Sequence, residues 1–243
     1  MGRFPEGAHA EFEGIRDGHF WFETRRRALA ELLEPFASEA DFMGLEVGCG
    51  DGFVLAALGG RWIGADQNWP DAVRARRRTG RSIVVADGGH LPFGRRFSVV
   101  CAFDVLEHTE NDVPFVKALA SVLRPNSVLA LTVPAGPELW SSLDRYAGHY
   151  RRYTRASLVE TVATAGLRVE RTMPLFRLLW PLAWVRARLP RGRKEVECPE
   201  REYGVVPLGN ALLRWMLVLE SRLGGRSARG RGTSWCLVAR RRD

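Results

Sequence analysis

The stretch GLEVGCGDG (residues 44–52) begins as a short apolar run and passes directly into a turn with three alternating glycines. Apolar residues before such a turn indicate a buried strand that bends sharply toward a helix. Glycines also let a ligand approach the bare backbone of the turn. A packing turn without a ligand has the same composition, so the stretch alone leaves both interpretations open.

Strand-like runs recur on the C-terminal side of this turn, with helical stretches between them. Repeated short strands and helices predict an α/β fold: a Rossmann-like, seven-stranded, mostly parallel sheet with helices on both faces. The runs after the first one are WIGAD (62–66), SIVVAD (82–87), FSVVCAFD (97–104), SVLALTVP (127–134), LRVERT (167–172) and SWCLVARR (234–241).

Acidic residues follow three of these predicted strands. Asp66 ends the second strand, 18 residues after Gly48, where a carboxylate can accept hydrogen bonds from ribose hydroxyls. Asp87 ends the third strand, and Asp104 and Glu107 follow the fourth. Because the carboxyl ends of parallel strands meet at one edge of a sheet, we expect these acids to share a crevice with the glycine turn.

Three other segments are predicted to be helical. Residues 24–36 have apolar side chains at helical spacing and end at Pro35. Residues 173–190 are apolar and rich in tryptophan, and Pro181 is expected to kink or split this segment. This segment suits a membrane interface, the wall of an acceptor pocket or an ordinary packed helix. The third segment, 205–223, has an apolar stripe formed by Leu208, Leu212, Trp215, Met216, Leu219 and Leu223.

The net charge of +8 is unevenly distributed along the 243 residues. Residues 1–139 carry 15 basic and 19 acidic side chains, whereas residues 140–243 carry 21 and 9. The excess indicates an anionic acceptor or an anionic surface near the C-terminal part. No apolar run is long enough for a transmembrane helix, and no signal sequence is visible, so we expect a cytoplasmic protein. The four cysteines show no spacing typical of zinc sites or disulfides, so no metal is predicted.

Five motifs in order resemble the class I S-adenosylmethionine-dependent methyltransferases, particularly the small-molecule and ubiquinone-type subgroup. They are LEVGCGDG, WIGADQN, VVADGGHLPF, CAFDVLEHTEND and VLRPNSVLALTVP, which together cover about residues 40–135. A nicotinamide enzyme would have a GxGxxG turn, whereas Gly48, Gly50 and Gly52 are two residues apart. The resemblance implies S-adenosylmethionine as the cofactor.

The resemblance also implies roles for individual residues. The methionine part of the cofactor would be surrounded by Glu46, Gly48, Gly50 and Gly52. Asp66 would hold the ribose, and Gln67 would flank the adenine. Asp87 would accept from the adenine amino group beside Gly88. The floor of the cofactor site would consist of Phe103, Asp104 and Leu106. From its position in the first helix, Arg25 is expected to reach the carboxylate of the cofactor.

Two histidines are candidate catalytic residues, because a hydroxyl acceptor needs a base and histidine has a suitable pKa. His108 follows the fourth strand, and His149 lies in the segment GHYRRYT (148–154). A hydrogen-bonded loop position is the alternative for each. Candidate acceptor-binding residues, which also fit a solvated helix start or a packed aromatic cluster, are Trp21, Tyr150, Arg151, Arg152 and Tyr153.

The sequence therefore predicts methyl transfer to a small-molecule, lipid-like or sugar-like acceptor, on oxygen. Alternatives are C- or N-methylation, RNA methylation, and a non-catalytic cofactor-binding partner subunit. The acceptor is expected to be anionic or hydrophobic, without nucleic acid, and peripheral membrane contact fits the apolar segment. One domain, 1–243, is predicted with five parts: an N-terminal helical extension (1–39), a cofactor-binding core (40–135), an acceptor-side segment with the sixth strand (136–172), a helical cap (173–232) and the last strand (233–243).

Overall fold

The strands lie side by side in one sheet, in the order β3-β2-β1-β4-β5-β7-β6. The computed structural model describes residues 16–188, 207–224 and 230–242. Within them the strands are β1 (Gly44–Val47), β2 (Trp62–Asp66), β3 (Ile83–Val85), β4 (Phe97–Phe103), β5 (Leu123–Pro134), β6 (Leu167–Leu175) and β7 (Ser234–Arg241). The helices are α1 (Phe20–Ala37), α2 (Trp69–Thr79), α3 (Asp112–Ser121), α4 (Ser142–Tyr146), α5 (Arg155–Thr164), α6 (Trp180–Arg188) and α7 (Pro207–Gly224).

The sheet is parallel except for its last strand in sequence. β1 pairs in parallel with β2 and β4, β2 with β3, and β4 with β5. β7 runs antiparallel to both of its neighbours, β5 and β6. The predicted fold class is confirmed. The sequence bounds of β2 and β7 match the structure, whereas β5 begins four residues earlier than predicted.

Alternate residues of each central strand enter two separate cores. Val100 and Ala102 of β4 pack with α3 and α5 on one face. Val99 and Cys101 of the same strand pack with α1 and α2 on the other. This two-residue period, with both faces apolar, is what a parallel sheet covered by helices requires. Both layers leave the carboxyl ends of the parallel strands uncovered, where the site lies.

A third, smaller cluster joins the cap to the N-terminal extension. Phe20 of α1 packs with Leu217 of α7 and with Phe176 and Leu179, which follow β6. The side chain of Asn210 accepts a hydrogen bond from the Phe20 backbone N–H at 2.7 Å and donates to the Gly18 carbonyl at 2.8 Å. The extension and the cap therefore meet above the same edge of the sheet.

The cap differs from its sequence prediction in two respects. β6 continues to Leu175, a turn of 3₁₀ helix follows, and Pro181 lies in the first turn of α6 rather than at a kink. Proline is tolerated there because the first helical N–H groups have no intrahelical partner. On α7, the predicted stripe is exposed at Leu212 and Trp215, whereas Leu217 is buried.

Part of the predicted extension (residues 1–15), parts of the predicted cap (189–206 and 225–229) and Cys198 lie outside the described residues. The other three cysteines, Cys49, Cys101 and Cys236, are buried free thiols. Among the described helices, none has both the length and the apolarity that crossing a membrane requires.

Candidate active site

The glycine turn after β1 borders a cavity of about 790 Å³. Gly48, Gly50 and Gly52 have φ values of 70°, 53° and 79°, in the left-handed region that favours glycine. A Cβ on Gly48 would overlap the side chain of Val105, and one on Gly52 would lie 2.9 Å from a methyl carbon of Thr79. Glycine is therefore required here both for the conformation and for the space.

Asp66, at the end of β2, is tied to this turn. Its Oδ2 accepts from the Gly50 N–H and its Oδ1 from the Asn68 N–H, both at 2.8 Å. Burial raises the pKa of Asp66, and these two backbone hydrogen bonds oppose that shift. Each oxygen keeps a second lone pair, and both Asp66 and Gln67 line the cavity.

Glu46, on β1, is buried below the turn with 2% of its surface exposed. Its Oε2 has no hydrogen-bond partner among the described residues. Burial raises the pKa of Glu46 to about 8, although the nearby Arg25 guanidinium acts in the opposite direction. A buried carboxyl with an unused oxygen suits a cationic group in the cavity.

Only some of the residues predicted to surround the adenine or to form the floor of the cofactor site line the cavity. Gly88 lines the cavity, and a Cβ on it would lie 2.7 Å from the ring of Phe115. Asp87 is exposed and accepts from the Gly89 N–H at 2.8 Å, outside the set of cavity-lining residues. Phe103 and Asp104 line the cavity, whereas Leu106 is fully buried behind it.

Arg25 reaches the cavity from α1 and binds an acid there. Its Nη2 lies 2.7 Å from Asp104 Oδ2 and donates to Thr132 Oγ1 at 2.8 Å. Thr132 in turn donates to Asp104 Oδ1 at 3.0 Å. Asp104 has a φ of 54°, a strained conformation for a residue with a side chain, so this network holds it in place.

His149 also lines the cavity and is held by a buried carboxylate. Its Nδ1 lies 2.9 Å from Asp144 Oδ1. Asp144 also accepts from Arg152 Nε at 2.7 Å and from the Ser141 N–H at 2.8 Å. Burial would raise the pKa of Asp144, but the hydrogen bonds from His149 and Arg152 outweigh it and lower the pKa to about 2. An ionised Asp144 places the proton of a neutral His149 on Nδ1 and leaves a lone pair on Nε2.

Two further side chains stand beside that Nε2 atom. Glu107 Oε1 lies 4.0 Å from it, and the rings of His108 and His149 are 4.7 Å apart between centroids in an edge-to-face arrangement. The Glu107 side chain is fully buried, and the Tyr150 N–H donates to its backbone carbonyl at 2.8 Å. This hydrogen bond fixes the segment that carries His149 against the turn that carries Glu107 and His108.

The outer wall of the cavity is apolar. Trp21 of α1 faces it from one side, and the cap and the segment around α4 complete it. The apolar lining residues from these elements are Leu139, Leu143, Leu179, Leu182, Ala183 and Leu213. The wall is therefore suited to an apolar portion of a ligand, next to the polar end that contains His149.

Three predicted acceptor-binding residues lie outside the set of cavity-lining residues. Tyr153 is buried in the core and donates to Asp112 at 3.1 Å, and Arg151 also donates to Asp112 at 3.1 Å. Tyr150 is 44% exposed. The structure shows Tyr153 and Arg151 in contacts within the protein, because α3 supplies a half-buried hydrogen-bond acceptor, Asp112. Of the predicted set, Trp21 and Arg152 line the cavity.

Comparison with known proteins agrees with this geometry. A family model described as a methyltransferase domain matches residues 21–172, more than half of the chain. A probable S-adenosylmethionine-dependent methyltransferase of Mycolicibacterium smegmatis is 30% identical over 172 residues, which is 67% of this chain and 65% of that protein. The chain belongs to the S-adenosylmethionine-dependent methyltransferases. Its cofactor is S-adenosylmethionine.

One more curated relative and one solved structure are also similar to this methyltransferase. A ubiquinone biosynthesis O-methyltransferase of Parvibaculum lavamentivorans is 25% identical over 170 residues, which cover 58% of this chain and 63% of that one. The chain thus spans just under two thirds of both of these curated relatives. A Haloferax volcanii methyltransferase, solved in complex with the Trm112 activator, shares the fold with a TM-score of 0.65 and 17% identity over 98% of this chain and 96% of that one.

Two acids of the site have roles that the sequence of this methyltransferase did not indicate. Asp144 was not identified, although SSLD (141–144) has the spacing of a capping box, which the structure contains. Glu107 was noted as an acid at a strand end, but nothing in the sequence showed that it would be buried beside His149. A contact between residues 107 and 149 depends on the tertiary fold.

The Arg25–Asp104 pair offers a test of stability in this methyltransferase. Arg25→Met is expected to lower the free energy of unfolding by about 3 kcal/mol, because it leaves a partly buried carboxylate without its counter-ion. Urea denaturation of the cofactor-free protein measures this. Arg27→Met is the matched control, since Arg27 lies on the same helix in an exposed pair with Glu31 and should change stability by about 0.5 kcal/mol or less. Equal losses in the two variants would contradict the prediction.

The raised pKa of Glu46 predicts that the stability of the protein depends on pH. Its pKa is about 8 in the folded protein and about 4.5 when unperturbed, so between these values the folded protein holds a proton that the unfolded chain has lost. The stability that this proton contributes is fully present below pH 4.5 and is lost as the pH rises toward 8. Glu46→Gln, which is neutral at every pH, should therefore gain stability relative to wild type as the pH rises from 5 to 8. Urea denaturation across this range checks it, and parallel curves for the two proteins would refute it.

Proposed function

We propose that this chain transfers the methyl group of S-adenosylmethionine to a hydroxyl group of a small acceptor that has an apolar portion. The observation that carries this proposal is the Asp144–His149 pair. It presents a histidine lone pair inside the same cavity that the glycine turn borders. A hydroxyl must lose its proton for its oxygen to be methylated readily, whereas a neutral amine or an activated carbon has less need of a base.

The residues around the glycine turn fit the cofactor. The bare backbone at Gly48 and Gly50 leaves room for the methionine part, and the unused oxygen of buried Glu46 suits its ammonium group. Asp66 keeps free lone pairs for the two ribose hydroxyls. We assign the adenine to the side of Gln67 and Gly88, where exposed Asp87 lies at the rim.

The chemistry follows from position and charge. When bound, the cofactor supplies an electrophilic methyl group on a cationic sulfur. The cavity holds the acceptor oxygen in line with that methyl, and orientation of this kind lowers the barrier. His149, oriented by Asp144 and flanked by His108, faces the hydroxyl and favours the loss of its proton. Arg152 keeps Asp144 ionised and thereby keeps His149 in the required tautomer.

The apolar wall narrows the acceptor class. Leu143 from α4 and Leu182 and Ala183 from α6 give an extended apolar surface beside the histidine pair. Exposed Val185 and Trp215 continue the apolar character onto the outside of the cap. We infer an amphiphilic, lipid-like or aromatic acceptor, and peripheral contact of the cap with a membrane surface fits the same feature.

The arginines of the C-terminal part give less support to an RNA acceptor. In the described residues several of them bind acids of this chain, as Arg240 and Arg168 bind Glu170 and Arg151 binds Asp112. Paired arginines contribute less to a basic surface for phosphates than the net charge suggests. A non-catalytic partner subunit would not need the ordered Asp144–His149 pair.

The proposal is tested with S-adenosylmethionine that carries an isotopically labelled methyl group. The full chain is incubated with a panel of phenols, hydroxy fatty acids and their matched amines, and products are found by mass spectrometry. Labelled methyl ethers from the hydroxyl compounds support the proposal, and labelled methyl esters or methylamines alone overturn it. Asp66→Ala, which should lack bound cofactor, serves as the blank.

A further inference from the structure

Glu107, His108 and His149 form a compact group of potential metal ligands. One ligand atom from each of the three lies within 4.8 Å of the other two. His149 Nε2 and Glu107 Oε1 are 4.0 Å apart. Two ligand atoms that each bind a zinc-sized ion at about 2.1 Å lie about 3.4 Å apart in tetrahedral geometry, so this pair needs to close by about 0.6 Å.

The surroundings of His149 match those of a metal ligand. Its Nδ1 is bound to Asp144, a carboxylate buried at 1% exposure that also accepts from Arg152 and Ser141. A carboxylate on the far nitrogen of a ligating histidine fixes the ring and directs the lone pair of the near nitrogen at the ion. This carboxylate–histidine arrangement is already in place.

Glu107 gives a second, independent observation. Its side chain is fully buried, and neither carboxylate oxygen has a hydrogen-bond partner among the described residues. Glu107 is one of the residues that line the cavity. A buried carboxylate without donors is strongly unfavourable, so such a group either takes up a proton or receives the missing contacts from a ligand or ion.

We propose that Glu107, His108 and His149 bind one divalent cation of the zinc, manganese or iron class at the acceptor end of the cavity. Two imidazoles and one carboxylate favour these ions over magnesium and calcium, which prefer oxygen ligands throughout. Three protein ligands leave open coordination positions, and these face the cavity. The cysteine and histidine spacing did not reveal this site, because its ligands come from residues 107, 108 and 149.

The role of the cation rests on the proposed function. An acceptor hydroxyl in an open position loses its proton to cavity water more easily, because the positive ion stabilises the resulting oxygen anion. The oxygen lone pair then forms the new C–O bond, while the C–S bond breaks and its electron pair stays on sulfur. An acceptor with two neighbouring oxygen atoms would occupy two positions at once, so catechol-like and α-hydroxy acid compounds are the favoured classes.

Binding is tested with cobalt(II) alone, whose visible absorption reports the number and geometry of its ligands. Untagged full-length protein, freed of metal by a chelator, should bind one Co²⁺ per chain. His149→Ala and Glu107→Gln should each weaken this binding at least about tenfold, and Asp144→Asn by about 10- to 100-fold. His90→Ala is the matched control, since the His90 side chain is 90% exposed at the surface. Circular dichroism shows whether each variant is folded.

The site is overturned if no saturable Co²⁺ band appears, or if folded His149→Ala and Glu107→Gln bind Co²⁺ as tightly as His90→Ala. Methyl transfer gives a separate outcome. Activity that is lost with the chelator and restored by Zn²⁺ or Mn²⁺ supports the cation. Methyl transfer to a hydroxyl without any bound cation would contradict the cation site but agree with the proposed function. His149 would then act as a general base. Bound Co²⁺ without methylation of any hydroxyl compound supports the site and contradicts the proposed function.

Discussion

His149→Ala is expected to lower the rate of methyl transfer by about 100- to 10,000-fold while it leaves the affinity for S-adenosylmethionine unchanged. The loss follows because this ring is the one group oriented by Asp144 toward the acceptor hydroxyl, and positioned proton-handling groups contribute about this much to a rate. The affinity should persist because the proposed cofactor contacts are with the glycine turn and Asp66 and not with His149. Single-turnover kinetics with labelled cofactor and calorimetry measure the two quantities.

Two further variants make this result specific. Asp144→Asn keeps the shape of the side chain but weakens the hold on His149 Nδ1, so we expect a smaller loss of rate with an unchanged cofactor affinity. His90→Ala, at the exposed surface, should retain the wild-type rate. A His149→Ala protein that methylates a hydroxyl acceptor at the wild-type rate would remove this residue from the mechanism.

Asp66→Ala is expected to weaken the binding of S-adenosylmethionine by a factor on the order of 100 or more. Two hydrogen bonds from the ribose to a carboxylate are lost, each with a net value of about 1.5–3 kcal/mol. The Gly50 N–H also loses its acceptor, so the glycine turn is less well held. Isothermal calorimetry of the cofactor with the folded variant measures the change.

The matched control for this carboxylate is Asp41→Ala, an exposed acid just before β1. It should bind the cofactor as wild type does, and thermal melts should show that both variants are folded. Unchanged affinity in Asp66→Ala would contradict the assignment of the ribose to the end of β2, and with it the direction in which the cofactor lies across the turn.

The fold was predictable because the sequence repeats one physical pattern. Short apolar runs, one ended by an acid and the other by arginines, predicted β2 and β7 with correct bounds, since a strand buried on both faces tolerates few polar residues. The apolar face of α7 was predicted wrongly, with Trp215 at 63% exposure and Leu217 at 2%. Helical spacing shows an apolar stripe, but the partner that covers it, here α1, is chosen by the tertiary fold.

The candidate site was predictable only where its residues are local in sequence. The glycine turn and Asp66 belong to one strand–turn–strand unit, so their proximity followed from the parallel sheet. Tyr153 was predicted to bind the methyl acceptor because aromatic and arginine residues alternate around it. Its hydrogen-bond acceptor, Asp112, lies 41 residues away and gave no signal in that segment. The Asp144–His149–Glu107 arrangement equally needed the fold, which brings two loops together.

The position of β7 has a consequence for how this chain is made. β6 touches the sheet only through β7, so during synthesis it has no neighbour until residues 234–241 have left the ribosome. The five strands from β3 to β5 can assemble earlier as one parallel unit. A chain that stops before Ser234 would keep the cofactor edge yet leave β6 without its neighbouring strand. The acceptor pocket is therefore completed only after the last strand has been translated.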